Sequence, residues 1–506
     1  MMKLVKGHWL QAVLVFLLAI GFFYRINGLD KNYSFWTDEA STARFARGIL
    51  ETGVPQIKST GFREDSYFVT HYLTAASFFV FGEDEFAARI PEVVFGTLLI
   101  LAVFYFGKVI FNNQYLGLGA ALLTTFSYAQ ITWSRQARGY VILEVFFLLS
   151  LFFLYQIGQA NKKRDYFAFF LLTLLSIWTH SLGLILIPIG IVYIVTKRGL
   201  AGFIKSKQIF WGTIIFIVVT ILFTNLLPAI KVIFINHLPQ SILSRAHLFY
   251  YHSLFWRQYP LISFLSFAAL ILICLKEKKE IFWLFVSTLT IYVAGIVFAV
   301  SVPFEKYALV VFPLLFLLAS YALLEFSKLF FNHEGKQTTV FLLMTLFILI
   351  NGNKFSLVPR TFFSMNFDMR EIPEIDYKGI YDLAGVKIGR EGLQKIAIVD
   401  LSSDMPAWYL GEGKNLFIPR NDVVKGITRN TNSGGIYIHN LDELLNIYKD
   451  YPQGLVVLVE HNFRFYPQGL VAFVRENLKL EKREEVAWFS PDWNSWPIEL
   501  YSWGLN

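Results

Sequence analysis

With a single cysteine, Cys274, the 506-residue chain can close no internal disulfide and build no thiolate metal site. Charge is scarce as well: Asp, Glu, Lys and Arg make up 16% of the residues, against 55% apolar ones. Through the first 350 residues carboxylates are almost confined to the ends of apolar runs. Those runs are too long, and apolar on too many sides, for a chain that folds in water. A bilayer is the solvent they require. The net charge of +8 is therefore no sign of nucleic acid. Lys and Arg lie in loops and at segment ends, as membrane topology demands, and no basic stripe interleaved with aromatics marks a nucleic-acid groove. Cys274, in an apolar run near Lys276, is expected to be a small buried hydrophobe.

What is present is a series of apolar segments at about 9–26, 68–82, 92–111, 115–131, 140–158, 165–179, 182–196, 208–228, 261–275, 280–300, 307–326 and 338–351. The first follows a basic start and lacks a small-x-small cleavage site, so it reads as an uncleaved crossing. Short basic loops set the sides: Lys3 and Lys6, Lys162-Lys163-Arg164, Lys197-Arg198, Lys276 to Lys279, and Lys328 with Lys336 read as cytoplasmic. Parity between residues 27 and 160 requires one segment not to cross. The shortest, 68–82, contains His71 and precedes Glu83-Asp84-Glu85, so it is expected to lie along or dip into the outer interface. About eleven spanning helices result, with the N-terminus cytoplasmic and the C-terminus outside the cytoplasmic membrane.

On the outer face, Ala40, Ala43, Ala46 and Leu50 recur at helical spacing opposite Ser41, Arg44 and Arg47, which predicts an amphipathic helix lying on the membrane. A second outer loop, 229–260, carries His237, His247, His252 and many aromatics; without a His-x-x-x-His pair it reads as a headgroup-level belt. After about residue 352 the runs shorten. KIAIVDLS, GGIYIHN and GLVVLVEH predict strands, and LDELLNIYKDY and LVAFVRENLKL predict helices, giving a soluble α/β domain over 353–506 beside a membrane domain over 1–352. The hexapeptide YPQGLV, at 451 and 466, leads once into a predicted strand and once into a predicted helix, so it marks no repeat.

Three ionisable clusters fall on one side of this topology. Asp38 and Glu39 stand in Trp36-Thr37-Asp38-Glu39-Ala40-Ser41, at the mouth of the first membrane helix. Arg135, Arg138 and Tyr140 follow the 115–131 segment, with Glu144 one turn into the next. Ionisable groups flanking an apolar helix are costly, which favours a functional site, with an Arg–Glu pair that docks two helices as the bland reading. Glu305-Lys306-Tyr307 opens a later segment, where Lys and Tyr also serve as interfacial anchors. Together they set a carboxylate beside several cations at one water–lipid boundary. A lipid-borne phosphate would sit at that depth, held by Arg and Lys, while the carboxylate took a proton from an attacking hydroxyl.

FGEDEFAARIPEVVFGTLLILAVFYFGKVIFNN followed by TWSRQARGYVILEVFFLLSL resembles the GT-C membrane glycosyltransferases, in the branch of the dolichyl-phosphate-mannose:protein mannosyltransferases and lipid A aminoarabinose transferases. The likeness covers roughly residues 5–330. It implies a GT-C-like membrane domain in which FWTDEAS supplies the catalytic base, Asp38, with Glu39 beside it in acceptor positioning. The family's Ser-Arg-x-Ala-Arg-x-Tyr pattern falls on Ser134 to Tyr140, and its Arg-Tyr on Lys306-Tyr307, where Lys keeps the charge and loses the bidentate fork. Arg138, Lys306, Arg135, Tyr140 and Tyr307 are thereby expected around a donor phosphate. His71 joins them by a motif that here lacks its prolines, and Glu144 supports the site. The activity implied is inverting transfer of a sugar from a polyprenyl-phosphate donor to a hydroxyl of a glycan, lipid or protein. A transporter of a lipid-linked anion would use the same cations, but its inverted repeats and mid-membrane charges are not seen. A ligase or polymerase with a lipid-diphosphate donor is not separated by the sequence. Mg²⁺ or Mn²⁺ could bind adjacent carboxylates, yet two neighbours on a helix cannot both face one ion and no second acidic motif accompanies them, so no obligatory metal is expected.

Overall fold

The computed structural model describes residues 2–31, 34–64, 66–207, 209, 211–212, 214, 245–298, 300, 302–360, 377–389, 395–412, 415–423, 426–484 and 497–505. Six helices among them are long and apolar enough to cross a membrane, within Trp9–Lys31, Glu85–Ile110, Tyr140–Ala160, Ser181–Ile204, Lys279–Phe298 and Val311–Phe330. A seventh span arises if 247–258 and 260–275, bent by 98°, count as one. The protein is a multi-pass membrane protein, but the expected eleven crossings are not reached among the described residues. The predicted segment 208–228 lies largely outside them, as does His237.

The first half runs α1 (Met2–Ile26), α2 (Thr37–Thr52), α3 (Phe68–Phe81), α4 (Glu85–Ile110), α5 (Gln114–Phe126), α6 (Tyr128–Trp133), α7 (Tyr140–Ala160) and α8 (Lys163–Thr179). At 14 residues, α3 is about 21 Å long, short of a roughly 30 Å hydrocarbon layer. It buries Thr70, His71, Thr74 and Ser77 and leaves Phe79, Val80 and Phe81 exposed. The apolar run 115–131 is not one helix. Ser127 leaves the helical conformation between α5 and α6, and the backbone it frees is paired by an incoming segment: Tyr128 N donates to Lys354 O at 2.9 Å and Ser356 N to Phe126 O at 2.8 Å. A tertiary contact thus breaks what local composition would have continued.

Two further expectations change for the same kind of reason. Helix α2 does not lie on the membrane with Arg44 in water: Arg44 is buried and Leu50 is exposed, because the C-terminal domain covers the charged side. Cys274 is exposed on the helix Pro260–Leu275, alongside exposed Phe267, Ile271 and Leu275. A lipid-facing stripe is as apolar as a core, so composition does not separate the two. Within 229–260, Arg245–Ser253 is helical, and His247 is buried with Nδ1 3.0 Å from Val297 O, while His252 is exposed.

Beyond residue 395 the chain forms a six-stranded sheet in the order β3-β2-β1-β4-β6-β5, with β1 (Ala397–Asp400), β2 (Leu416–Pro419), β3 (Ile436–Ile438) and β4 (Gly454–Val459) parallel. β6 (Ile498–Trp503) and β5 (Lys479–Glu484) close it antiparallel. β1 and β4 are buried throughout, as strands covered on both faces must be. The predicted helix over LVAFVRENLKL stops at Asn477; Lys479 starts the charged edge strand β5, whose lysines and glutamates deter further pairing. The two YPQGLV copies do part, into β4 and into the helix Leu470–Asn477.

Candidate active site

The site is built where α2 begins. Trp36 is extended and Thr37 starts the helix, so Asp38 and Glu39 occupy a first turn whose free N–H groups favour negative charge. They nevertheless face different surroundings. The Asp38 side chain is 37% exposed, and its Oδ2 lies 3.3 Å from Arg138 Nη2 and 3.4 Å from Lys306 Nζ. Its Oδ1 accepts no hydrogen bond among the described residues. Arg138 also donates through Nη1 to Asp38 O at 3.1 Å and to Thr42 Oγ1 at 3.4 Å. Burial raises the Asp38 pKa, but Arg138, Lys306 and a hydrogen bond from Lys306 outweigh it and hold the carboxyl below its ordinary value.

Aromatic rings wall this group. Lys306 Nζ lies 4.7 Å from the Trp36 ring centroid, 4.8 Å from Phe304, 5.6 Å from Tyr307 and 5.7 Å from Tyr140. Arg138 lies over Tyr67 at 5.4 Å and Tyr140 at 5.9 Å. Such rings stabilise a cation without neutralising it, and leave it able to attract an anion. Buried polar atoms without partners cluster nearby: Trp36 Nε1, Arg138 Nε, Thr70 Oγ1 and His71 Nδ1. His71 stands against Phe45 and Tyr67, with ring centroids 5.1 and 6.1 Å away. His180 escaped notice in the sequence, although a lone His ending an apolar segment is the kind of group that flagged Arg138. Its ring is 5.4 Å from Tyr67, 5.1 Å from Tyr140 and 6.3 Å from Tyr307. Leu182 N donates to its Nδ1 at 3.1 Å, which in the neutral ring leaves the proton on Nε2.

Glu39 is fully buried and turned from the Asp38 oxygens. Its carboxylate takes a two-pronged bond from Arg89, Nε to Oε1 and Nη2 to Oε2, each at 2.9 Å, and Ala137 N donates to Oε1 at 2.7 Å. With the Gln136 amide oriented to suit its neighbours, that side chain donates to Oε2 at 2.9 Å. Glu39 therefore ties α2 to α4 and to the 134–138 loop. The acceptor-side role expected for it has no geometric counterpart here.

Arg135 also lies apart from the phosphate site expected for it. Fully buried, it donates through Nη1 to the carbonyls of Tyr24, Arg25 and Asn27 at 3.3, 3.0 and 2.8 Å, and through Nη2 to Gly28 at 3.2 Å, closing the end of α1. Ser134 Oγ donates to Gln130 O at 2.5 Å and accepts from Arg25 Nε at 3.1 Å. Gly96 of α4 faces this knot, where an added Cβ would stand 2.1 Å from Ser134 Oγ. Glu144 makes no pair with Arg138; its Oε1 accepts from Gln130 Nε2 at 2.8 Å, supporting the loop from below. Among the described residues no three His, Cys, Asp or Glu side chains gather as a metal site would require.

This geometry can be set beside known proteins. A family model described as dolichyl-phosphate-mannose-protein mannosyltransferase matches residues 65–226. The fold is similar to that of ArnT from Cupriavidus metallidurans in the apo state, with a TM-score of 0.64 and 13% identity over 98% of each chain. ArnT bound to undecaprenyl phosphate gives 0.63, with the same identity and coverage. The archaeal oligosaccharyltransferase AglB from Archaeoglobus fulgidus, in complex with an inhibitory peptide and a dolichol-phosphate, gives 0.57 at 12% identity over 97% of this chain and 74% of that one. No curated protein matches the chain by sequence. The chain has the GT-C glycosyltransferase fold.

Proposed function

We propose that the protein is an inverting glycosyltransferase that moves a hexosyl or pentosyl group from a polyprenyl-phosphate donor to a hydroxyl of a glycan, lipid or protein on the outer face of the cytoplasmic membrane. One observation carries this reading: Asp38 has one oxygen braced by two cations and the other open. The acceptor hydroxyl gives its proton to Oδ1 as its oxygen attacks the anomeric carbon. The bond from that carbon to the phosphate oxygen breaks on the opposite side, so a single displacement inverts the centre and requires no enzyme nucleophile. Polyprenyl phosphate departs with the bonding electrons, stabilised by Arg138 and Lys306. A donor phosphate arriving at those cations draws them from Oδ2, which makes the carboxylate more basic when the acceptor must be deprotonated.

Tyr140, Tyr307 and Trp36 keep Lys306 aimed into the pocket, His71 and His180 line it, and no metal has a role in the proposed step. The undecaprenyl phosphate bound to ArnT and the dolichol-phosphate bound to AglB support a lipid phosphate as the ligand class. We place the membrane domain at 1–352, with the 353–506 domain on the acceptor side. The test is incubation of purified protein with radiolabelled polyprenyl-monophosphate and polyprenyl-diphosphate sugars. Label transferred from the monophosphate supports the proposal. Transfer from the diphosphate alone makes the protein a ligase, and movement of intact donor across proteoliposomes makes it a transporter.

A further inference from the structure

Helix α2 is gripped from the side opposite its cations. Ahead of Asp38, Tyr377 N donates to Ser34 Oγ at 2.8 Å and Phe35 N donates to Tyr409 Oη at 3.0 Å, while the Phe35 ring lies 5.3 Å from Trp408. Beyond Asp38, the buried Arg44 guanidinium is held by Asp404 and, through Nε and Nη2, by Glu412 at 2.9 and 3.0 Å. Arg47 lies over the Trp408 ring at 4.3 Å. The far side of this latch is itself braced: Asn432 Nδ2 donates to Asp404 Oδ1 at 3.0 Å, and Ser59 Oγ to Glu412 Oε2 at 2.8 Å.

Two attachments on different faces stop a helix from rolling; one does not. Glu39 and Arg44 are five residues apart, about 140° around the helix at 3.6 residues per turn. Released at Arg44, α2 keeps its ties at Ser34 and Phe35 and the contacts of Arg47 with Trp408 and Glu83, but it loses its buried ionic hold and rolls more readily about the Glu39–Arg89 clamp. Asp38, about 100° from Glu39, then swings relative to Arg138 and Lys306. Its contacts with them, at 3.3 and 3.4 Å, are long for ion pairs, so a small roll is enough to part them.

The geometry points to the C-terminal domain as a working part of the site: Arg44, Asp404 and Glu412 are positioning residues that hold Asp38 in register with Arg138 and Lys306. This rests on the transferase reading for its chemistry, though not for the mechanical link. In the full-length protein, Arg44→Ala lowers kcat about 10- to 100-fold, as misplacement of a reacting group does, while donor KM stays within about twofold. The acid limb of the pH–rate profile also moves up, since Asp38 loses the cations that depress its pKa. The groups facing that carboxylate are Arg138, Lys306, His180, Tyr67, Tyr140 and Tyr307, and Asp404, which Arg44 neutralises, also acts on it through space, so the exchange measurement is the readout that isolates movement of the helix. Hydrogen–deuterium exchange across residues 37–52 rises about 10-fold as the helix opens more readily. Glu412→Gln shifts each readout in the same direction by less and keeps the domain intact if Arg44→Ala does not fold. Arg420→Ala, in an exposed pair with Asp422, changes none of them. Wild-type exchange and an unmoved acid limb in folded Arg44→Ala, or in Glu412→Gln where the first does not fold, overturn the inference. If the wild-type protein transfers no sugar, the function proposed above falls, and the exchange measurement alone decides the grip.

Discussion

On one side of the first turn of α2, Asp38 looks out toward two cations that leave half its carboxylate unoccupied; on the other, Glu39 is enclosed by Arg89 and the 134–138 loop with both oxygens in use. The same division runs through that loop, where Arg138 faces the pocket and Arg135, three residues earlier, wraps the end of α1. Residue type does not distinguish the members of either pair. A carboxylate with spare lone pairs and partial exposure is available for chemistry, whereas one saturated with donors in a dry interior is a fastener.

Breaking the open side gives the largest expected effect. Asp38→Asn abolishes transfer by about 10³-fold or more, at the upper end of general-base contributions, without lowering the melting temperature, because the side chain is part-exposed. An Asp38→Asn protein that turns over normally would remove the base assignment. Lys306→Gln is expected to lower kcat/KM about 10²-fold, comparable to losing one oxyanion donor. It also shifts the acid limb upward: Lys306 holds the Asp38 pKa down in the native protein, so without it the base protonates earlier as the pH falls. An unchanged acid limb would mean that the Lys306–Asp38 contact does not persist in solution.

The closed side answers to stability. Glu39→Gln takes from buried Arg89 the carboxylate that meets it with both oxygens and costs about 3–5 kcal/mol, read as a lower melting temperature. A variant that melts normally but needs more acceptor would restore to Glu39 the role the sequence suggested. Least affected is Glu144→Gln, which weakens one buried hydrogen bond from Gln130, worth about 0.5–1.5 kcal/mol, and should alter kcat by less than the other changes. A collapse of transfer there with stability intact would place Glu144 among the reacting groups instead.

The rule that an ionisable group beside an apolar helix is costly singled out Arg138, with Asp38 and Lys306 joined to it by their shared side of the membrane and by the family resemblance; the structure sets the Asp38 carboxylate 3.3 Å from Arg138 and 3.4 Å from Lys306, 268 positions away in sequence. It could not tell Asp38 from Glu39 or Arg138 from Arg135, because an offset of one or three residues changes the face and only the partners decide what each face meets. Arg89 and Trp408 were invisible for a related reason: their meaning lies in contacts with α2 from elements far away in the chain. The break at Ser127 was equally hidden, since nothing in residues 115–131 announces the strand-like pairing supplied by Lys354 and Ser356. By contrast β1, β3 and β4 were readable, because short β-branched runs between turn residues admit few other structures.

Gly96 sits in the apolar run of α4 with no charge or polarity to mark it, yet the smallest possible side chain there would press on Ser134 and, 2.8 Å away, on Arg25. The seam between α1 and α4 therefore has no slack, and the segment bearing Arg138 rests directly on it. Anything that widens the seam from within the lipid, whether a methyl group on the chain or a small apolar compound, acts as a brake on the outer pocket without entering it.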